Sequence, residues 1–167
     1  MNKTGFVSGI AALVIAADQA TKWYIRQHMG VYESIPVIDS IFHITYARNT
    51  GAAFSMLADA PAALRVPFFM VMTVVALAAL VYFLRQVQED QRVLQFALAG
   101  ILGGAVGNFI DRILIGSVTD FLDVHWHEWT FPTFNVADSF ITIGMAVLLL
   151  HSLLESTPDE SKQPRSA

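Results

Sequence analysis

The sequence predicts an all-α membrane protein, four transmembrane helices with a small β-structure at one membrane surface, and three observations predict it. Hydrophobic residues make up 54% of the 167-residue chain and charged residues only 14%, about half the charged share of an ordinary soluble domain. Apolar stretches recur four times, with polar loops between them. Trp23, Trp126 and Trp129 all fall beside span ends that alternation places on one side of the bilayer, as an interfacial aromatic belt does.

The first span is read over about residues 5–27. Gly5 to Ala17 is apolar and uncharged after Lys3, and the stretch continues through Asp18, Gln19 and Lys22 to Trp23 and Tyr24. A basic start before an apolar run also fits a cleaved signal peptide, but no A-x-A site follows and Asp18 interrupts the expected place of cleavage. The span is therefore read as retained. Within residues 30–64, Ile41 to Arg48 alternates in the manner of a half-exposed strand, which predicts a small surface β-structure.

The second span, about 66–84, holds 18 uncharged residues from Pro67 to Leu84, and the third, about 93–113, holds 18 from Val93 to Ile110. Both reach the ~18-residue threshold for crossing a bilayer. The fourth, about 134–154, has Asp138 as its single charge. Residues 1–155 are read as one domain, and the tail, 156–167, is rich in Ser, Pro and charge and is expected to be solvated and disordered.

A net charge of −4 with ten scattered Lys and Arg argues against a nucleic-acid partner. The absence of cysteine excludes disulfides, thiolate nucleophiles and cysteine-ligated zinc. Basic residues balance between the two sides of the membrane, so the positive-inside rule gives no orientation.

Alternating spans bring the end of the first, the end of the third and the start of the fourth to one side, and the polar residues gather there. They are Asp18 and Lys22, then Asn108, Asp111, Arg112 and Asp120, then Asn135 and Asp138. Spacings of three and four put Asp18 with Lys22, Asn108 with Asp111, and Asn135 with Asp138 on shared helix faces. Ionisable groups inside a span cost ~2.5–3.5 kcal/mol each and persist when paired or used. For several, structure is the simpler reading: a helical ion pair for Asp18 and Lys22, a helix-end pair for Asp111 and Arg112, close helix packing for Gly103, Gly104 and Gly107, and a turn for Asn49 and Gly51. Asp120 and Asp138 have no basic neighbour within a turn, which suggests chemistry.

A zinc protease needs His-Glu-x-x-His, and the run from His127 puts Phe131 at the second ligand position. His125 and His127 read as interfacial side chains. His151 lies at the far end of the fourth span, away from any partner for a serine nucleophile. A transporter would continue its polar residues across the membrane, whereas Val75 to Leu84 and Met145 to Leu150 offer no relay. Paired aspartates remain, sharing one proton while the ionised partner activates water. Spacing alone leaves open whether the pair is Asp120 or Asp111 with Asp138.

The chain resembles the lipoprotein signal peptidases (signal peptidase II) of bacteria, membrane aspartyl endopeptidases. The resemblance is carried by Asp18-Gln19-Ala20-Thr21-Lys22, by Asn49-Thr50-Gly51-Ala52-Ala53-Phe54, by Gly103 to Arg112, by Val118-Thr119-Asp120-Phe121 and by Phe134 to Ser139. It implies a monomer in the bacterial inner membrane with both termini cytoplasmic. A periplasmic β-cradle over about 30–64 and a short periplasmic helix over about 118–129 are implied with it. The implied substrate is a prolipoprotein with a diacylglyceryl-modified cysteine, cut on the N-terminal side of that cysteine, with no metal or other cofactor and with membrane lipid as the other partner. By position the catalytic pair falls on Asp120 and Asp138. Asn108 and Arg112 would bind substrate carbonyls, Asn135 would orient the pair, Asn49 and Gly51 would belong to the cradle, and Asp18, Lys22 and Asp111 would support the site. Thr119 stands where an aliphatic residue is common.

Overall fold

The structure is a computed structural model describing residues 2–51, 61–126 and 129–155. Among the described residues, four helices are long and apolar enough to cross a membrane: α1 (Lys3–His28), α2 (Ala62–Gln86), α3 (Arg92–Ile115) and α4 (Val136–Glu155). The Asn2 side chain accepts the Gly5 N–H at 2.9 Å and caps α1. Arg26 and His28 stand in its last turn, where the helix dipole favours cations. α3 is the hub, packed on α1, α4 and α2. It is mostly buried while α2 is almost wholly exposed. Leu13, Val71, Met72, Leu149 and Leu153 are among the large apolar side chains on the outer surface, as lipid contact requires.

Glycines set the closeness of the hub. A Cβ on Gly103 would lie 2.8 Å from Val14 Cβ, one on Gly104 2.5 Å from the Ala137 carbonyl oxygen, and one on Gly107 2.5 Å from Asp18 Oδ2. The packing role read from the sequence is what these contacts show.

The four strands β1 (Ser34–Ile38), β2 (Phe42–Asn49), β3 (Val118–Trp126) and β4 (Trp129–Thr130) pair antiparallel in that order. β2 is the strand its alternation predicts. The segment expected as a short helix, 118–129, is instead mostly strand, and this corrects the expectation. Val118, Thr119, Phe121, Val124 and Trp126 suit a pleated surface, and β2 supplies backbone partners from Phe42↔Val124 to Asn49↔Val118. The cradle is thus built from two loops rather than from 30–64 alone, of which 52–60 lie outside the described residues. So do His127, positions 52–54 of the second motif, and the tail.

Gly116, at φ +70°, closes α3 with its N–H on the Arg112 carbonyl, a left-handed cap that costs glycine little. The reversal sends β3 back across the helix ends. Phe134 then pairs with β3, exchanging backbone bonds with Leu122 at 2.8 and 3.0 Å, and fixes where α4 begins. Ile25, Tyr46 and Phe121 form a small core between the sheet and the bundle.

Candidate active site

At the sheet-side ends of α1, α3 and α4 lies a buried polar cluster. Asp18 and Lys22 are both 0% exposed, one turn apart on α1, and Lys22 Nζ lies 2.8 Å from Asp18 Oδ2. Asp18 Oδ1 accepts the Ala137 N–H at 3.0 Å, so the pair also anchors the start of α4. The helical ion pair read from the sequence is present. Its role extends to neighbouring helices, since a buried lysine needs every donor engaged: Lys22 Nζ also donates to Asn108 Oδ1 at 2.8 Å and lies 3.7 Å from Asp111 Oδ2.

Asp111 does not turn to its sequence neighbour. Adjacent helix positions point apart, so Asp111 pairs with Arg26 at 3.1 Å and accepts the Thr119 N–H at 2.9 Å, tying β3 to α3. Sequence reasoning passed over Arg26 and Gln19. Arg26 also reaches Thr119 Oγ1 at 3.1 Å, and Gln19 Nε2 reaches the Gly107 carbonyl at 3.0 Å. The signal for Arg26 lay in the spacing: Asp18, Lys22 and Arg26 recur every fourth residue and share one face.

Asp120 and Asp138 meet across Asn135. The Asn135 amide Nδ2 donates to Asp120 Oδ1 at 2.6 Å, while its backbone N–H donates to Asp138 Oδ2 at 3.3 Å. In return Asn135 Oδ1 accepts the Asp138 N–H at 2.9 Å. This reciprocal exchange across the first turn of α4 is a capping box in which Asn replaces the usual Ser or Thr and Asp the usual Glu. Asn108 Nδ2 donates to the other Asp138 oxygen at 2.8 Å, and Asn49 Nδ2 to the other Asp120 oxygen at 3.1 Å. Asn49 also takes the Gly51 N–H at 3.0 Å, an Asx turn at the end of β2.

Asp120, on β3 and 1% exposed, is pushed up to about 7, first by burial and next by the nearby Asp138. The Asn49 and Asn135 amides pull the other way without reversing the shift. Arg112 projects toward the same space, with long contacts of 3.4 Å to the Gly51 and Asn108 carbonyls and its guanidinium over the Phe69 ring. A cavity of about 900 Å³ runs from β2 and the Phe131–Phe134 segment to Ile141, Thr142 and Ile143 on α4. Asp120, Asp138, Asn49, Asn108 and Arg112 all line it. Of the residues singled out by sequence, Asp18, Lys22 and Asp111 stand behind this wall.

Two carboxylates joined through one asparagine, at the mouth of a bundle of four apolar helices, are an arrangement that can carry out acid–base hydrolysis of the aspartic type. Comparison with known proteins agrees. The sequence model of the signal peptidase (SPase) II family matches residues 10–154. The lipoprotein signal peptidase of Syntrophotalea carbinolica is 48% identical over 84% of this chain and 86% of its own, and that of Bacillus subtilis 42% identical over 92% and 97%. A solved bacterial membrane enzyme superposes with a TM-score of 0.85 at 35% identity, covering 99% of both chains. The chain belongs to the signal peptidase II family.

Proposed function

We propose that Asp120 and Asp138 are the catalytic pair with which this chain, an aspartic endopeptidase, removes signal peptides from prolipoproteins. The observation that carries the assignment is Asn135, which bonds both carboxylates at the cavity wall. One carboxyl keeps its proton and polarises the scissile carbonyl. The ionised one takes a proton from water as the water oxygen attacks the carbonyl carbon. The tetrahedral adduct collapses by breaking the C–N bond, and the leaving nitrogen takes up a proton. General acid–base action of this kind contributes ~10²–10⁴ in rate, and positioning supplies the rest.

Arg112 is the group best placed to hold substrate carbonyls, because its own contacts inside the protein are long. The Asn108 amide is engaged by Lys22 and Asp138, so its part is to hold Asp138. The apolar α4 face of the cavity, where Ile143 is exposed, suits the acyl chains of a diacylglyceryl cysteine cut on its N-terminal side. Membrane lipid forms the remaining wall. In this reading the chain works as a monomer in the bacterial inner membrane, with its site periplasmic and both termini cytoplasmic.

The test uses purified protein in detergent and a diacylglyceryl prolipoprotein. Asp120→Asn and Asp138→Asn should each stay folded and lose cleavage, and the parent should cleave in the presence of a chelator. Cleavage that stops on chelation, or either variant retaining full activity, overturns the assignment.

A further inference from the structure

Among the described residues, Lys22 is a fully buried cation that the hydrolytic scheme leaves unused. Its ammonium has no lone pair, so the Asn108 atom it meets at 2.8 Å is the amide oxygen. That fixes the rest of the side chain: the Asn108 NH₂ must face Asp138, and Asp138 Oδ1 must accept from it at 2.8 Å. The other oxygen, Oδ2, faces a backbone N–H, which can only donate.

Asp120 is held differently. Its two donors, Asn135 Nδ2 and Asn49 Nδ2, are oriented by backbone N–H groups, those of Asp138 and Gly51. Asn135 Nδ2 also lies 3.2 Å from the Asn108 oxygen that Lys22 holds, but there it meets an acceptor, and among the described residues no ammonium bonds the amide oxygen of either donor. A charged donor polarises the amide it holds and strengthens the next bond in the chain. Asp138 also occupies the first turn of α4, where the helix dipole favours an anion, whereas Asp120 lies on a strand.

We infer that Lys22 is a positioning residue which, through Asn108, makes Asp138 the ionised, water-activating member of the pair and leaves the proton on Asp120. The inference rests on the catalytic pair proposed above. The elevation of the Asp120 carboxyl to about 7 agrees with it. Charged groups facing Asp138 are Lys22 and Asp18 from α1, Arg112 and Asp111 from α3, and Asp120 from β3, with Arg48 of β2 on the same cavity. Of the cations among them, Lys22 alone is wired to an Asp138 oxygen by an intervening amide.

The test is the pH dependence of kcat/KM on a diacylglyceryl prolipoprotein. Its acidic limb reports formation of the singly ionised pair and its alkaline limb loss of the last proton. Lys22→Met should move the acidic limb upward by about one pH unit, the lower end of what a nearby opposite charge does, with KM little changed. Since that variant leaves Asp18 buried and unpaired, Asn108→Ser, which keeps the ion pair and cuts the relay, decides the matter if Lys22→Met fails to fold. It should move the acidic limb the same way. Asn49→Ala, by removing a donor from Asp120, should move the alkaline limb upward and leave the acidic one in place. Folded Lys22 and Asn108 variants with an unmoved acidic limb overturn the inference, as does the reverse pattern, with Asn49→Ala moving the acidic limb. Inactive aspartate variants alongside unmoved limbs sink only this inference, while active aspartate variants sink the pair itself.

Discussion

In the proposed scheme Asp120 links catalysis to stability. An aspartate in the unfolded chain ionises near pH ~3.9, but in the fold burial raises this one to about 7. Below the lower value both states hold the proton and the contribution to stability is fully present. As pH rises through the window from about 4 to about 7, the unfolded chain releases its proton first and stability falls, levelling off above. The Asp120→Asn variant has nothing to titrate at this position. The difference in unfolding temperature, variant minus parent, measured by calorimetry in detergent, should therefore climb across that window. A flat difference would show that Asp120 is not held protonated. That neither Asp120 nor Asp138 has a basic neighbour within a turn was legible in the sequence, while the approach of Arg112 and Lys22 from other turns and helices was not. An orienting role for Asn135 followed from the family resemblance and not from spacing, because Asn135 meets Asp120 only after β3 has been folded back over the helix ends.

At the scale of elements, the geometry of the proposed pair depends on how closely α3 and α4 approach. Gly104 faces the Ala137 carbonyl, one residue before Asp138, and an added Cβ would come within 2.5 Å of it. Backbone cannot yield there as a side-chain tip can, so Gly104→Ala should push the start of α4 away and separate Asp138 from Asp120. The expected cost is about 1–3 kcal/mol of stability, as for other overpacked cores, and a tenfold or greater loss of kcat, since small misplacements are expensive at a reacting centre. Gly144→Ala, two turns deeper on the same seam against the Ala97 carbonyl at 2.7 Å, should cost similar stability and much less activity. Equal losses of activity at both positions would argue against a local effect on the pair. The glycines could be assigned to packing from sequence because small residues at helical spacing have few other uses in a span. Strand β3 could not be assigned, because its partner β2 comes from some seventy residues earlier and a lone strand has no local signature to compete with a helix. Asp111 misled for a related reason: sequence adjacency to Arg112 looks like pairing, yet the two side chains leave the helix in different directions.

For the whole molecule, length and apolar composition sufficed to read four spans, while orientation did not follow, because basic residues are balanced on the two sides. In the orientation proposed above, the sheet and the cavity mouth face the periplasm and the turn between α2 and α3 faces the cytoplasm. That turn is held by Lys3, whose Nζ donates to the Val87 carbonyl and whose backbone N–H donates to Glu89 Oε2 at 2.9 Å, so the start of α1 must lie on the same side. The chain has no cysteine, so single cysteines can report each side without background. Asp39, in the exposed turn between β1 and β2, and Asp90, in the exposed turn before α3, are suitable positions. In intact cells a membrane-impermeant maleimide should label Asp39→Cys, and Asp90→Cys should react only after the inner membrane is permeabilised. The opposite pattern would put the carboxylate pair in the cytoplasm, and labelling of both in intact cells would mean that the chain does not sit across the membrane in a single orientation.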